Sequence, residues 1–210
     1  MESINKTTKE DNKIKEKLDY IKNLPIQKYN GNYIDMQELK YESDFVDLFN
    51  LINNDKDFSN LVRRRFITGQ SFEDFKIQIK NWFKEDTNFV FIIKDKEQKP
   101  IGVNILYSLN PIKNEIKLSI FLKEESRNSK KTIESYTSVL KFILQVLKVD
   151  TIKYSVYTDN DYILNMYKKI LKDIEGVENT NGDFKTFSLD KKIISSLIDR
   201  LESILNRKSV

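Results

Sequence analysis

The middle of the chain determines the fold class, because strand-like segments there surround one helix in a definite order. Residues 88–94 and 100–109 are rich in β-branched and aromatic residues and flank the turn DKEQK, so they predict a hairpin. Residues 115–122 (EIKLSIFL) alternate strictly and predict a third strand. An apolar stripe at helical spacing over 131–148 and a strand-like run over 151–157 follow. This strand–helix–strand unit predicts a parallel pair, and we therefore predict an α+β fold with a mixed, mostly antiparallel sheet flanked by helices.

Helices extend the pattern at both ends of the chain. Ile14, Leu18 and Ile21 share one helical face and predict a short helix over 11–23, and a last helix covers 190–207. Between them, the pattern predicts a strand over 33–41, helices beginning at Ser43, Ser71 and Asp159, a loop over residues 176–182 (GVENTNG), and a strand over 184–189.

We divide the chain into three parts. Residues 1–29 form a polar and helical extension, residues 30–190 one domain, and residues 191–210 a C-terminal helix. The terminal helices cover the surface of the domain itself, or alternatively form a partner contact or a homodimer.

The residue types that the chain lacks restrict its chemistry. The 210 residues include no cysteine and no histidine, which excludes disulfides, thiolate nucleophiles, Cys/His zinc sites and histidine bases. We expect no metal. The net charge of +4 is spread over interleaved charges and does not favour a nucleic-acid partner. Arg63–Arg65 are the densest basic cluster and are read as a solvated helix face, with contact to an acidic substrate or nucleic acid as the alternative.

No apolar leader and no run of 18 apolar residues occur in the sequence. We therefore expect a cytoplasmic protein that does not span a membrane.

A segment rich in hydrogen-bond donors joins the third consecutive strand to the long helix. It comprises Arg127, Asn128, Ser129, Lys130, Lys131 and Thr132. A helix N-terminus presents unpaired N–H groups and about half a positive charge, and therefore suits a phosphate. The alternative is a solvated surface loop.

The order of elements and this loop resemble the GCN5-related N-acetyltransferases, the GNAT family, over roughly residues 30–190. The resemblance is closest to the branch that acetylates ribosomal proteins. In the family the loop reads Arg/Gln-x-x-Gly-x-Gly/Ala, and its amides hold the pyrophosphate of coenzyme A. The resemblance implies the same role for residues 127–132, although Lys130 and Thr132 stand where the family has glycine, which makes the loop degenerate.

The resemblance also implies where the thioester lies. Family members splay two strands beside this loop, and the extended pantetheine fills the gap almost as an added strand. A backbone N–H of Phe121 or Leu122 would then polarise the thioester carbonyl.

Amine acetylation further needs a base for the ammonium and an acid for the departing thiolate. Glu115 is the best-placed carboxylate for the base, or else an exposed acid at a strand start. The resemblance implies that Asn160 lies near the pantetheine arm and that Tyr167 protonates the thiolate. An N-cap and a core tyrosine are the structural alternatives. Ile163 and Leu171-Lys172 replace the Ser and the Gly-Phe of that family motif.

The resemblance implies an N-acyltransferase that uses acetyl-CoA as its cosubstrate. A primary amine on a protein N-terminus, a lysine, a peptide or a small molecule would attack the thioester directly. The replaced glycines favour a second hypothesis, a catalytically degenerate GNAT-fold protein that binds or regulates. A third is an interaction protein whose element order only mimics the family.

Overall fold

A computed structural model describes residues 2–39, 42–62, 66–83, 87–127, 129–158, 164–165, 177–181 and 184–207. Within these ranges the elements along the chain are α1 (Glu2–Lys22), β1 (Lys28–Asn30), β2 (Ile34–Glu38), α2 (Glu42–Asn54), α3 (Lys56–Val62), α4 (Phe72–Phe83), β3 (Phe89–Asp95), β4 (Pro100–Asn110), β5 (Glu115–Leu122), a 3-10 turn (Glu124–Ser126), α5 (Lys130–Lys141), a π-helical turn (Phe142–Val146), β6 (Thr151–Tyr157), β7 (Val177–Asn181), β8 (Phe184–Asp190) and α6 (Lys191–Leu205).

The described strands form one eight-stranded sheet in the order β1-β2-β3-β4-β5-β6-β8-β7. All neighbours are antiparallel except β5 and β6, which are parallel. The parallel pair follows from α5, because a helix that crosses over the sheet returns the chain in its original direction. The predicted mixed, mostly antiparallel sheet flanked by helices is confirmed.

Helices cover both faces of the sheet and create two apolar cores. Phe89, Phe91 and Ile93 of β3 point to the core that includes α1, α5 and α6. Val90 and Ile92 point to the core beneath α2, α3 and α4. Since successive side chains of a strand alternate in direction, a strand buried on both faces is apolar throughout, as residues 89–93 are.

Several boundaries differ from the prediction. The first helix begins at Glu2 rather than residue 11. The stretch GVENTNG, predicted as a loop, contains β7, because Val177–Asn181 form backbone pairs with β8 that do not depend on apolar side chains. The helix predicted over 131–148 changes to a π-helical turn at Phe142 and ends near Lys148, whose φ is +53°.

The terminal helices pack on the domain in this structure. Ile21 of α1 and the α6 residues Ile194, Leu197 and Leu201 are buried in the core shared with α5. Lys17 and Tyr20 of α1 also donate to the carbonyls of Leu147 and Val146 at the end of the π-helical turn. No helix among the described residues is both long and apolar enough to cross a membrane.

Candidate active site

The parallel strands β5 and β6 separate along their length. They pair only over their first three residues, Glu115–Lys117 with Thr151–Lys153. Beyond this point β5 stays bonded to β4, and β6 stays bonded to β8. Residues 118–122 and 154–157 therefore flank a gap at the carboxyl ends of both strands. Unpaired strand edges of this kind can take up an extended ligand as an added strand.

The direction of the backbone N–H groups along β5 decides which of them can reach this gap. The N–H of Lys123 donates to the carbonyl of Ile101 across β4, at 2.9 Å. Because N–H groups alternate sides along a strand, that of Phe121 also faces β4, whereas those of Leu122 and Ile120 face the gap. Of the two predicted donors to a thioester carbonyl, only Leu122 points its N–H toward β6.

The start of α5 follows this strand end through the 3-10 turn, and its N-cap side chain does not cap it. Ser129 is the N-cap residue, but its side chain makes no capping hydrogen bond. The Ser129 hydroxyl instead donates to the carbonyl of Ser126, and the Thr132 hydroxyl donates to the same carbonyl at 2.7 Å. The first-turn N–H groups of a helix have no intrahelical acceptor, so an uncapped start is suited to an anion.

Ser126 was not singled out by the sequence analysis. Its side chain is only 1% exposed, and its Oγ has no hydrogen-bond partner in the described part of the chain.

The two side chains at the family's glycine positions are both held by contacts within the protein. The Lys130 ammonium donates to the carbonyls of Arg207, at 3.0 Å, and Leu205, at 3.4 Å, at the end of α6. It also lies 5.3 Å from the centre of the Tyr33 ring. Thr132 is only 9% exposed and is folded onto the preceding turn. The lysine stem therefore extends to α6.

The other predicted cations of the loop also have partners within the protein. The Nε of Arg127 donates to the carbonyl of Leu122, at 3.1 Å. The Lys131 ammonium lies 3.5 Å from the Asp95 carboxylate in the turn between β3 and β4. Burial raises the pKa of Asp95, but the backbone N–H of Lys99 and the charge of Lys131 outweigh it and hold this pKa below its usual value.

A buried carboxylate, which the sequence analysis did not single out, lies one turn further along α5. Glu134 is 3% exposed and accepts from the backbone N–H groups of Asn32, Tyr33 and Ile34 at 2.8, 2.7 and 2.8 Å. A Cβ on Gly31 would lie 2.5 Å from its carboxyl carbon, so a larger residue there would displace the carboxylate from these N–H groups. The periodicity of the helix gave no sign of this role, because it marks apolar positions only.

Glu115, the predicted base, lies at the opposite end of β5 from the gap. Its carboxylate is 2.7 Å from the Lys153 ammonium. At about 3.4 Å per residue, roughly 20 Å of strand separate it from Phe121. The structure therefore does not bring Glu115 to the loop, because alternation along a strand predicts a shared face and not a short distance.

A cleft opens at the end of the sheet where the gap lies, on the face covered by α2 and α3. Its volume is about 480 Å³, and its lining includes Pro100 at the start of β4 and Lys123 after β5. Asp47 forms an ion pair with Lys94, and Asp55 forms one with Lys123 at 3.0 Å. The cleft thus combines carboxylates and ammonium groups close to the carboxyl end of β5.

Five of the predicted features lie outside the described residues: Asn128, Asn160, Tyr167, the cluster Arg63–Arg65 and the start of the helix predicted from Asp159. Their roles stay predictions. Among the described residues, no group of three or more acidic side chains is arranged to hold a metal ion.

Comparison with known proteins identifies the family to which the chain belongs. The sequence model of the acetyltransferase (GNAT) domain matches residues 36–170, more than half of the chain. The chain belongs to the GNAT family. The match spans β2 to β6 and includes both the separated strands and the start of α5.

Solved structures show the same fold. A GCN5-related N-acetyltransferase from Brucella melitensis superposes with a TM-score of 0.70 at 15% identity, covering 87% of this chain and 86% of that chain. Apo FdhC, a nucleotide-linked sugar GNAT, has a TM-score of 0.69 at 17% identity, with 86% and 99% covered. Mutant forms of the spermidine/spermine N-acetyltransferase SpeG from Vibrio cholerae have a TM-score of 0.60 at 18% identity, with 81% and 99% covered.

No curated protein matches the sequence. The identities to the solved structures are low, so these similarities show the GNAT fold alone.

Proposed function

We propose that this GNAT protein is an acetyl-CoA-dependent N-acetyltransferase that acts on a primary amine by direct attack on the thioester. The observation that carries the proposal is the gap between β5 and β6, which ends beside the uncapped start of α5. An extended thioester arm ending in a pyrophosphate needs both features side by side.

The pantetheine would lie along β5, where the N–H groups of Ile120 and Leu122 face the gap. The N–H of Leu122 would polarise the thioester carbonyl, because a fixed donor stabilises the oxyanion that forms on attack. The pyrophosphate would accept from the first-turn N–H groups of α5. Arg127 and Lys131 would reinforce it with charge-assisted hydrogen bonds after exchanging their present partners.

The proton transfers rest on residues outside the described ranges. Tyr167 would protonate the departing thiolate, and Asn160 would contact the pantetheine, as the family resemblance implies. Glu115 has no role in this proposal, because roughly 20 Å of strand lie between it and the gap.

The acceptor amine would approach through the cleft beside α2 and α3, on the sheet face opposite α5. Asp47 and Asp55 could attract an ammonium group there, although each is now paired with a lysine. We propose a small molecule, a peptide or a protein as the carrier of the amine. On the family resemblance alone, we also propose the ribosomal-protein-acetylating branch and a cytoplasmic location.

A second candidate function is a GNAT-fold protein that binds or regulates without catalysis. The contacts of Lys130 with α6 and of Lys131 with Asp95 favour it, since both cations are engaged inside the protein. Turnover, rather than binding, separates the two candidates.

Thermal unfolding with acetyl-CoA tests the proposal. A ligand that binds only the native state stabilises it by about 2.7 kcal/mol at one hundred times its dissociation constant. For a chain of this size the midpoint should rise by about 5–10 °C. An unchanged midpoint at millimolar acetyl-CoA would contradict the proposal. A raised midpoint without release of the coenzyme A thiol from acetyl-CoA, in the presence of each of a panel of primary amines, would favour the second candidate.

A further inference from the structure

We propose that Lys130 is a positioning residue. It binds the end of α6 to the first turn of α5 and so maintains the conformation of the end of α5 that binds the cofactor. The inference rests on the proposed function and deepens it. It assigns a role to a side chain that stands where the family carries glycine.

The contacts of Lys130 join distant parts of the chain. Its ammonium donates to the carbonyls of Leu205 and Arg207, 75 and 77 residues further along. The same ammonium lies over the ring of Tyr33, which belongs to the turn before β2. One side chain therefore holds the start of α5, the end of α6 and the turn before β2 together.

The end of α6 needs a cation from elsewhere. The last turn of a helix presents unpaired carbonyls and about half a negative charge. The last turn of α6 contains no basic residue of its own, so Lys130 supplies the missing positive charge. Without it, carbonyl oxygens would face the region where the pyrophosphate is proposed to bind and would repel the anion.

The backbone at Tyr33 is itself held by α5. Glu134, four residues after Lys130 and on the same helical face, accepts from the backbone N–H groups of Asn32, Tyr33 and Ile34. Lys130 therefore extends between the end of α6 and the ring of a residue whose backbone is anchored to α5. In this arrangement the aliphatic stem of Lys130 runs to the end of α6, and the backbone N–H of Lys130 can still donate to a ligand.

The test compares three substitutions by calorimetric titration of coenzyme A and by amide hydrogen exchange of the free protein. Lys130→Met keeps the apolar stem and removes the ammonium, and Lys130→Arg restores a cation that can bond carbonyls. Lys141→Met is the matched control, because Lys141 also ties α5 to α6, through an ion pair with Glu202, but lies at the far end of α5.

We expect Lys130→Met to weaken coenzyme A binding by about fivefold, the size of a helix-terminus charge effect. We also expect it to speed amide exchange over residues 203–207 in the free protein. Lys130→Arg should restore both properties, and Lys141→Met should change the affinity by less than about twofold.

Two results would overturn the inference. Unchanged affinity in Lys130→Met, whatever happens to exchange or melting, would make the lysine a stabilising contact only. Weakened affinity with unchanged exchange over 203–207 would mean that the ammonium contacts the ligand directly. If the wild-type protein itself does not bind coenzyme A, the proposed function fails, and the exchange comparison with Lys141→Met still decides whether Lys130 holds α6.

Discussion

Replacement of Glu134 by glutamine tests whether the buried carboxylate holds the turn before β2 against α5. The two side chains have nearly the same shape, so the change removes the charge and one acceptor and leaves the packing intact. The carboxylate is 3% exposed and accepts three backbone N–H groups at 2.7–2.8 Å.

The magnitude follows from those three bonds. A glutamine oxygen in the place of Oε2 can still accept from Tyr33 and Ile34, but these bonds become neutral and lose about 1 kcal/mol or more in total. The glutamine NH₂ group would then face the N–H of Asn32, leaving a buried donor without an acceptor at a further cost of about 1–3 kcal/mol. We expect the free energy of unfolding to fall by about 3 kcal/mol, a large share of the 5–15 kcal/mol typical of a domain.

Urea unfolding at pH 7 measures this change, with Glu202→Gln as the matched control. Glu202 forms an ion pair with Lys141 in which both side chains are more than a third exposed, so its loss should change stability by less than about 0.5 kcal/mol. If Glu134→Gln lowers stability no more than Glu202→Gln does, the reasoning about the buried carboxylate is wrong. The slope of the unfolding curve should stay constant, because neither substitution alters the surface exposed on unfolding.

Three further predictions concern other parts of the protein. Gly102→Ala would place a Cβ 2.4 Å from the carbonyl oxygen of Phe121, so the urea midpoint should drop by the equivalent of about 1–3 kcal/mol; a wild-type midpoint would contradict the clash. The hydrogen bond from Lys96 holds the pKa of Asp35 below its usual value, so its stabilisation is present above pH ~4 and is lost as the pH falls through the folded-state pKa. Asp35→Asn should therefore destabilise by less than about 1 kcal/mol at pH 7 and by a smaller amount at pH 2, and an equal loss at both pH values would refute this. Tyr167→Phe should lower kcat more than it changes the affinity for acetyl-CoA, and an unchanged kcat would remove Tyr167 from the mechanism.

Local sequence patterns predicted the central elements well, because hydrophobic periodicity encodes which face of a strand or helix is buried. The hairpin of β3 and β4, the strand β5, the start of α5 near Lys130 and the parallel β6 follow from it. β7 escaped prediction, because Val177–Asn181 are held by backbone pairing with β8 rather than by an apolar pattern.

The site was harder to predict, since it depends on distances between segments far apart in sequence. Glu115 was chosen from its strand face, yet its end of β5 is remote from the gap. The lysine at position 130 was recognised as a substitution for glycine, but its contacts with Leu205 and Arg207 arise only from the docking of α6. The choice of Leu122 over Phe121 required the hydrogen-bond register with β4.

Only three residue pairs join the strands β1–β5 to the group formed by β6, β8 and β7. Within the described sheet this junction separates two groups of strands, which are otherwise joined by the crossover through α5 and by the apolar core that they share beneath α5 and α6. A ligand lying between the two groups of strands would form the backbone hydrogen bonds that β5 and β6 do not form with each other. Binding of that ligand would then make the whole sheet more rigid, and the ligand-free protein would open first between β5 and β6.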